Sequence, residues 1–147
     1  MPPTVYVETS VVSYLAARPT SDVVTQARQR LTHEWWATRR AAFELVTAQP
    51  VLDEAAAGDP AAAARRAGYL AGLPLLDVTP EAVALGTALQ RLARIPAKAA
   101  ADALHIALAA FHGIDYLLTW NMRPRSPTRS SGRRSRPRAG GPGTRRR

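Results

Sequence analysis

Short apolar runs that alternate with helical segments most constrain the fold of this 147-residue chain. Runs rich in β-branched and aromatic residues predict strands at about residues 5–7, 42–46, 73–78 and 116–119. Amphipathic segments with helix caps and stops lie between them, the longest at about residues 23–39 and 97–112. Strands that alternate with helices pair in parallel, with helices on both faces of the sheet. We therefore predict an α/β fold of three layers, in which helices flank a short parallel sheet.

The basic residues are concentrated at the C-terminal end of the chain. The formal net charge is +9, from 20 Lys and Arg against 11 Asp and Glu. Ten of the arginines lie within residues 123–147, where there is no acidic residue, so residues 1–121 are nearly neutral. We therefore predict a folded domain over residues 1–121 and a tail rich in Arg, Pro, Ser and Gly over residues 122–147. Because residues 123–147 contain no large apolar side chain, we expect this tail to be disordered.

Two interpretations of the tail stay open. Ten arginines without acids are typical of an arm that binds nucleic acid or another polyanion. Alternatively, all residue types of the tail can be written with GC-rich codons, and a frameshift near the 3′ end of a GC-rich gene would produce such a sequence. We favour the frameshift, because the body of the chain, rich in alanine, arginine and proline, also indicates a GC-rich genome.

The composition excludes several classes of protein. No apolar run reaches the roughly 18 residues of a membrane span, and the N-terminus lacks a basic region followed by an apolar stretch. The chain has no cysteine, which excludes disulfides and thiolate metal ligands and is typical of a reducing compartment. We therefore expect a cytoplasmic protein that does not associate with membranes.

Three acidic residues and one amide occupy comparable places in the predicted fold. Glu8 ends the first strand directly before a helix, and Glu54 lies in the helix after the second strand. Asp102 lies in the last helix, with His105 one turn further on, and Asn121 follows the fourth strand. Ligands of open α/β sheets bind outside the carboxyl ends of the strands. We expect the side chains of these residues to converge there.

A cluster of carboxylates at one edge of a sheet indicates a cation site. Carboxylates that converge repel one another and resist loss of water unless a cation lies among them. Hard oxygen ligands, without cysteine and with histidine only at the margin, suit Mg²⁺ or Mn²⁺ better than Zn²⁺. Such an ion can bridge phosphate oxygens and activate a water for attack, which is the chemistry of a nuclease. Spacing alone does not establish this site, since acidic residues are common at helix starts.

Some of these residues have a second interpretation. Glu8 by itself is explained by the dipole of the helix that follows it, which favours a negative charge. Asp53 could face the site in place of Glu54; we prefer Glu54, because Leu52 and Asp53 then turn to the core and to solvent. Asp102 is predicted to lie past the first turn of its helix, where the dipole effect fades, so we favour a ligand role for it.

The histidine and the aromatic residues are interpreted mainly as packing residues. His105 is taken as a packing or supporting residue rather than a ligand. Trp35 and Trp36 are most simply contacts of the core or of a dimer, and stacking on bases of a nucleic acid is the less favoured alternative. Three further aromatic residues are assigned to the core and the rim of the site, namely Tyr14, Tyr116 and Trp120.

Three segments in this order resemble the PIN-domain family. They are VYVETSVVSYL, VLDEAAAGDP and ADALHIALAAFHGIDYLLTWN. The resemblance covers about residues 4–121 and is strongest to the VapC-type toxins of bacterial toxin–antitoxin pairs. It implies a metal-dependent endoribonuclease that is the toxin of a type II pair, with Mg²⁺ or Mn²⁺ as cofactor and RNA as substrate. It also implies a cognate antitoxin protein and a homodimer as partners.

Carried over by position, the resemblance also implies the site residues. The three catalytic and metal-binding acids of the family fall on Glu8, Glu54 and Asp102, and its fourth metal-binding position falls on Asn121. Thr9 or Ser10 would orient a water or Glu8. Aspartate is commoner in the family at the position of Glu8, so the site would be slightly wider here.

The resemblance ends after Asn121. Family members usually continue with a turn that contains histidine, a helix and often one more strand, so we expect a C-terminally incomplete domain. Two alternative functions therefore stay open beside the ribonuclease. One is a catalytically inactive PIN-like protein that binds antitoxin or RNA, and the other is a nucleic-acid-binding protein that acts through its arginine-rich tail.

Overall fold

The computed structural model describes residues 1–121, which form a mixed α/β domain with four strands and six α-helices. In chain order these elements are β1 (Thr4–Val7), α1 (Thr9–Ala16), α2 (Val23–Thr38), β2 (Glu44–Ala48), α3 (Gln49–Ala55), α4 (Pro60–Leu70), β3 (Leu75–Leu76), α5 (Pro80–Leu92), α6 (Ala100–Phe111) and β4 (Tyr116–Leu118). The tail predicted over residues 122–147 lies outside the described residues. None of the helices within residues 1–121 is long and apolar enough to cross a membrane.

The four strands form one sheet in the order β3-β2-β1-β4, and each neighbouring pair is parallel. Strand β1 lies in the middle, where Val5 is paired with Leu45 of β2 and with Tyr116 of β4. Its central position fits its sequence, because a strand with helices over both faces is buried throughout, and Val5, Tyr6 and Val7 are at most 2% exposed. The predicted α/β fold with a parallel sheet is confirmed.

The helices flank the sheet in two groups. Helix α1 packs against α2, α3 and α4, whereas α5 packs against α6. The chain steps from β1 to β2 and β3 in one direction and then returns past β1 to β4. Right-handed crossovers that run in opposite directions place their helices on opposite faces of the sheet. The carboxyl ends of β1 and β4 thus lie beside helices from both groups. The acidic residues predicted to form the site lie at this edge.

Helices α5 and α6 approach closely at Gly86. A Cβ atom at this position would lie 3.4 Å from the Cα of Leu104 and 3.5 Å from the Cβ of Ala107. Glycine therefore sets the distance between the two helices. Because α6 carries Asp102 and His105, this contact also positions the site.

Three predicted elements differ from the structure. The strand predicted at residues 42–46 begins later, at Glu44, because Arg40–Ala42 form a 3₁₀ turn. The strand predicted at residues 73–78 is reduced to Leu75–Leu76, an edge strand that follows Pro74, which has no N–H for a ladder. The helix predicted at residues 97–112 starts with a 3₁₀ turn.

The start of α6 corrects the predicted place of Asp102. Ala97–Ala99 form the 3₁₀ turn after Pro96, and neither this turn nor α6 has a side-chain N-cap. Without a cap the first residues tighten into a 3₁₀ turn, so the α-helix proper begins only at Ala100. Asp102 therefore lies in the first turn of α6, not past it, and the dipole of α6 favours its charge.

The aromatic residues differ from one another in burial. Trp35 and Trp36 are partly buried and pack against the core, and Trp35 stacks on Phe43. Tyr116 was predicted in the core or at the site rim but is 58% exposed. It lies at the amino end of β4, the last strand on its side of the sheet within the described residues, and its ring is nearly perpendicular to that of Phe43.

Candidate metal centre

Glu8 is a buried carboxylate that also caps a helix. Glu8 directly follows the central strand β1, and its backbone N–H donates to the carbonyl of Leu118 on β4. Its side chain caps the N-terminus of α1. Oε2 accepts hydrogen bonds from the N–H of Ser10 (3.0 Å), from the Ser10 hydroxyl and from the Thr119 hydroxyl (2.8 Å). The residue is only 3% exposed. Capping thus engages one carboxylate oxygen and leaves Oε1 for other partners.

Asn121 brings Glu8 and Asp102 together. Its Nδ2 lies 3.4 Å from Glu8 Oε1 and 3.5 Å from Asp102 Oδ1. The loop that carries it is held to the sheet edge, since its N–H donates to the Thr119 hydroxyl and the Trp120 N–H donates to the Ser10 hydroxyl. The amide of Asn121 therefore lies between the carboxylates of Glu8 and Asp102.

Glu54 reaches the same place from α3. Its Oε2 accepts from the Thr9 hydroxyl at 2.8 Å, and its Oε1 lies 2.7 Å from His105 Nε2. The neighbouring Asp53 is exposed and accepts a hydrogen bond from Gln49 on its own helix. Of the two acids left open by the sequence, Glu54 is the one that contacts the other residues of the cluster.

His105 joins Glu54 to the sheet. It is 1% exposed, and its second ring nitrogen, Nδ1, lies 2.8 Å from the hydroxyl of Tyr6, which is fully buried in β1. Tyr6 was missed as a site residue, because an aromatic residue in a central strand is ordinarily a core residue. A hydroxyl among valines, together with a histidine one turn after Asp102, is the sequence signal that could have found it.

The pKa values of Tyr6 and Glu54 move in opposite directions. Burial, and then the charges of Glu54 and Glu8, raise the pKa of Tyr6, so that its phenol stays protonated. Burial alone would raise the pKa of Glu54, but the hydrogen bonds from His105 and Thr9, and the charge of His105 when its ring is protonated, outweigh it and lower this pKa. Glu54 is therefore an ionised carboxylate at neutral pH.

Within residues 1–121, the acidic side chains converge without a salt bridge to lysine or arginine. One ligand atom each of Glu8, Glu54 and His105 lie within 4.8 Å of one another. Within residues 1–121 the one contact of salt-bridge geometry joins His105 to Glu54, and it is an ion pair only when the imidazole is protonated. Asp102 lies outside this tight group and contacts it through Asn121. Two carboxylates so close repel each other, and a cation between them would relieve the repulsion.

The donor set fits a hard divalent cation. Both nitrogens of His105 already have hydrogen-bond partners, so the atoms left to bind an ion are oxygens. They belong to the carboxylates of Glu8, Glu54 and Asp102. Asn121 presents its Nδ2 to the cluster, so it would offer an oxygen only with its amide rotated. Oxygen ligands of this kind suit Mg²⁺ or Mn²⁺.

The chain matches the family model described as PIN domain over residues 5–124. This stretch contains Glu8, Glu54, His105, Asp102 and Asn121. No curated protein and no solved structure matches the chain. The chain therefore belongs to the PIN domain family, whose fold is of the nuclease type and commonly metal-dependent.

Proposed function

We propose that this PIN-domain protein is a metal-dependent endoribonuclease and the toxin of a type II toxin–antitoxin pair. The observation that carries the proposal is the pair of carboxylates, Glu8 and Glu54, at the carboxyl edge of the sheet. Their ligand atoms lie within 4.8 Å, and within residues 1–121 no lysine or arginine forms a salt bridge with either. A cognate antitoxin, a homodimer and a cytoplasmic location belong to the same proposal and rest on the resemblance to VapC-type toxins.

The proposed ligands of Mg²⁺ or Mn²⁺ are Glu8, Glu54 and Asp102, with Asn121 as a neutral fourth ligand. When bound, such an ion supplies positive charge for phosphate oxygens and lowers the pKa of a water molecule. The protein contributes the position of the oxygens. Glu8 is held through Oε2 by hydroxyl and amide donors, which leaves Oε1 at the site.

The ionisation of Glu54 supports this role. Hydrogen bonds from His105 and Thr9 overcome the effect of burial and lower its pKa. Glu54 thus holds its negative charge at the pH of a cell and can bind an ion without first losing a proton.

A fixed arginine beside the site supports a polyanionic substrate. The guanidinium of Arg28 lies 5.4 Å from the centre of the Trp120 ring, and its Nη1 donates to the Tyr14 hydroxyl at 3.2 Å. Trp120 directly precedes Asn121 in the chain, and Arg28 is exposed; we therefore take Arg28 as a residue beside the cluster. We assign it to a phosphate of the RNA next to the one that is cleaved.

RNA binding tests this assignment of Arg28. Arg28→Gln should weaken RNA binding and reduce its dependence on salt, whereas Arg30→Gln, an exposed control on the same helix, should have a smaller effect. Equal effects of the two substitutions would refute the assignment.

Cleavage of RNA by the purified full chain tests the function itself. We expect cleavage with Mg²⁺ or Mn²⁺ that stops when a chelator is added. Glu54→Gln should abolish it, whereas Asp53→Asn should retain it, because this adjacent acid is exposed and bonded to Gln49. The two variants lose the same charge on the same helix. A contaminating nuclease would give the same cleavage in both preparations, so a difference between them excludes it.

Two outcomes would contradict the proposal. Cleavage that survives both the chelator and Glu54→Gln would refute a metal-dependent site at these residues. Binding of RNA or antitoxin without cleavage under any metal would favour the catalytically inactive PIN-like protein.

A further inference from the structure

A buried chain of hydrogen bonds links the central strand to the acidic cluster. The Tyr6 hydroxyl lies 2.8 Å from His105 Nδ1, and His105 Nε2 lies 2.7 Å from Glu54 Oε1. Tyr6 is 0% exposed and His105 is 1% exposed. This series of hydrogen bonds thus connects β1 to α6 and α6 to α3, and it ends on the carboxylate of Glu54, which is partly open to solvent.

The number of donors and acceptors on each side chain determines where the hydrogens lie in these two hydrogen bonds. A buried phenol must donate its hydrogen, and within residues 1–121 its acceptor is His105 Nδ1. Nδ1 therefore carries no hydrogen, and the hydrogen of the neutral ring is on Nε2. From there it is donated to Glu54 Oε1, so each atom of the chain has the partner that it needs.

We propose that Tyr6 and His105 are positioning residues for the proposed metal centre. The Tyr6 hydroxyl holds His105 in the Nε2–H tautomer, and His105 in turn holds Oε1 of Glu54 while the Thr9 hydroxyl holds Oε2. The carboxylate therefore faces Glu8 before an ion binds. The inference rests on the proposed metal site at Glu8 and Glu54.

Glu54 needs such a support for two physical reasons. Its side chain is 36% exposed and can rotate into solvent, where it gains conformational freedom. In addition, the nearby charge of Glu8 repels it. A fixed imidazole donor opposes both effects, as partners of ligating groups commonly do in metal sites.

The hydroxyl of Tyr6 contributes little to the packing of the core. Phenylalanine fills nearly the same space, so Tyr6→Phe removes the hydrogen bond and retains the ring. If Tyr6 only filled the core, this substitution would leave His105 and Glu54 unaffected.

The tautomer of His105 in the metal-free full chain is the first measurement. Long-range ¹H–¹⁵N correlation spectra distinguish a ring protonated at Nε2 from one protonated at Nδ1. We expect the Nε2–H form in the wild type and a mixture of both forms in Tyr6→Phe. An Nδ1–H ring in the wild type would overturn the inference, whatever the metal site does.

The affinity for Mn²⁺, measured by calorimetry or electron paramagnetic resonance, is the second measurement. Tyr6→Phe should weaken binding about tenfold, at the lower end of the effect of groups that support ligands. Tyr69→Phe removes a hydroxyl from a partly buried tyrosine on α4 and should leave the affinity unchanged. Equal affinities of the wild type and Tyr6→Phe would refute the positioning role.

A double-mutant cycle tests whether Tyr6 acts through His105. His105→Gln retains an amide donor near Nε2 but has no ring tautomers. In this background Tyr6→Phe should cause no further loss of Mn²⁺ affinity, and a full tenfold loss would overturn the inference. A wild type that binds no Mn²⁺ would instead refute the proposed metal site, and with it the role of the support.

Discussion

Glu8→Gln separates the effect of charge at the site from the effect of hydrogen bonding. Glu8 is 3% exposed, and its ligand oxygen lies within 4.8 Å of that of Glu54. At that distance two unit charges repel by about 3.5 kcal/mol at an effective dielectric constant of about 20. The value is smaller here, because the Glu54 side chain is 36% exposed and screened by water. Glutamine removes this repulsion.

The same substitution weakens the hydrogen bonds that Oε2 accepts. Its donors are the N–H and hydroxyl of Ser10 and the hydroxyl of Thr119. A bond to a charged acceptor is worth about 1 kcal/mol more than one to a neutral acceptor, so the three donors together lose about 3 kcal/mol. The screened gain therefore offsets most, but not all, of this loss. We expect the free energy of unfolding of the metal-free variant to lie within about 1 kcal/mol of the wild type.

With Mn²⁺ the two proteins should differ strongly. An ion at 100 times its dissociation constant stabilises the folded state by about 2.7 kcal/mol, which raises the melting temperature of a domain of this size by roughly 10 °C. The wild type should show such a rise and Glu8→Gln should show little of it. Zn²⁺ should not produce the same specific rise in the wild type.

Thermal melts of the full chain with Mn²⁺ and with chelator measure both effects. Glu44→Gln is the matched control, since Glu44 is exposed at the amino end of β2, away from the carboxyl edge. A full metal-dependent rise in Glu8→Gln would show that Glu8 does not hold the ion. A metal-free variant that is strongly destabilised would show that hydrogen bonding, not repulsion, dominates at Glu8.

Three further predictions concern activity, packing and pH. Asp102→Asn should abolish metal-dependent RNA cleavage while its melting temperature changes by only a few degrees, and cleavage at the wild-type rate would refute its role. Gly86→Val should destabilise the protein by about 1–3 kcal/mol through overpacking, and by clearly more than Gly68→Val, whose added Cβ meets no atom within 4 Å; equal denaturation midpoints would refute this account. Burial would raise the pKa of Glu54, but the hydrogen bond from His105 helps to lower it below the ordinary 4.5, so this carboxylate stabilises the fold above that pH. The stability is lost as pH falls through the lower folded pKa, and acid titration of metal-free Glu54→Gln should show a smaller loss.

The sequence was sufficient for the order of the elements and for the central strand. Val5–Val7 are apolar on both faces, which is typical of a parallel strand between two helical layers, and the structure places them there. The predicted ends of helices and strands were less accurate where contacts with other elements determine where an element stops. The strand around Leu75 shortened at the sheet edge, and α6 began only at Ala100, after an uncapped 3₁₀ turn.

The candidate site was only partly visible in the sequence. Acids at the ends of elements could be found by position, since the carboxyl ends of parallel strands share one edge. The choice between Glu54 and Asp53 depended on which side chain finds Thr9 and His105, a contact across more than 40 positions of the chain. The bond from Tyr6 to His105 joins positions 99 apart, so local periodicity could not reveal it.

The donors around the carboxylates explain why the cluster would bind a cation instead of closing on itself. Glu8 and Glu54 are held by hydroxyl, amide and imidazole groups, from Ser10, Thr119, Asn121, Thr9 and His105. Such donors fix the position of a carboxylate, but a neutral donor does not cancel its charge. A lysine or arginine in their place would form an ion pair and would have to be displaced before an ion could bind. In the neutral Nε2–H tautomer proposed above, His105 adds no positive charge, so the negative charge of both carboxylates stays available to a cation.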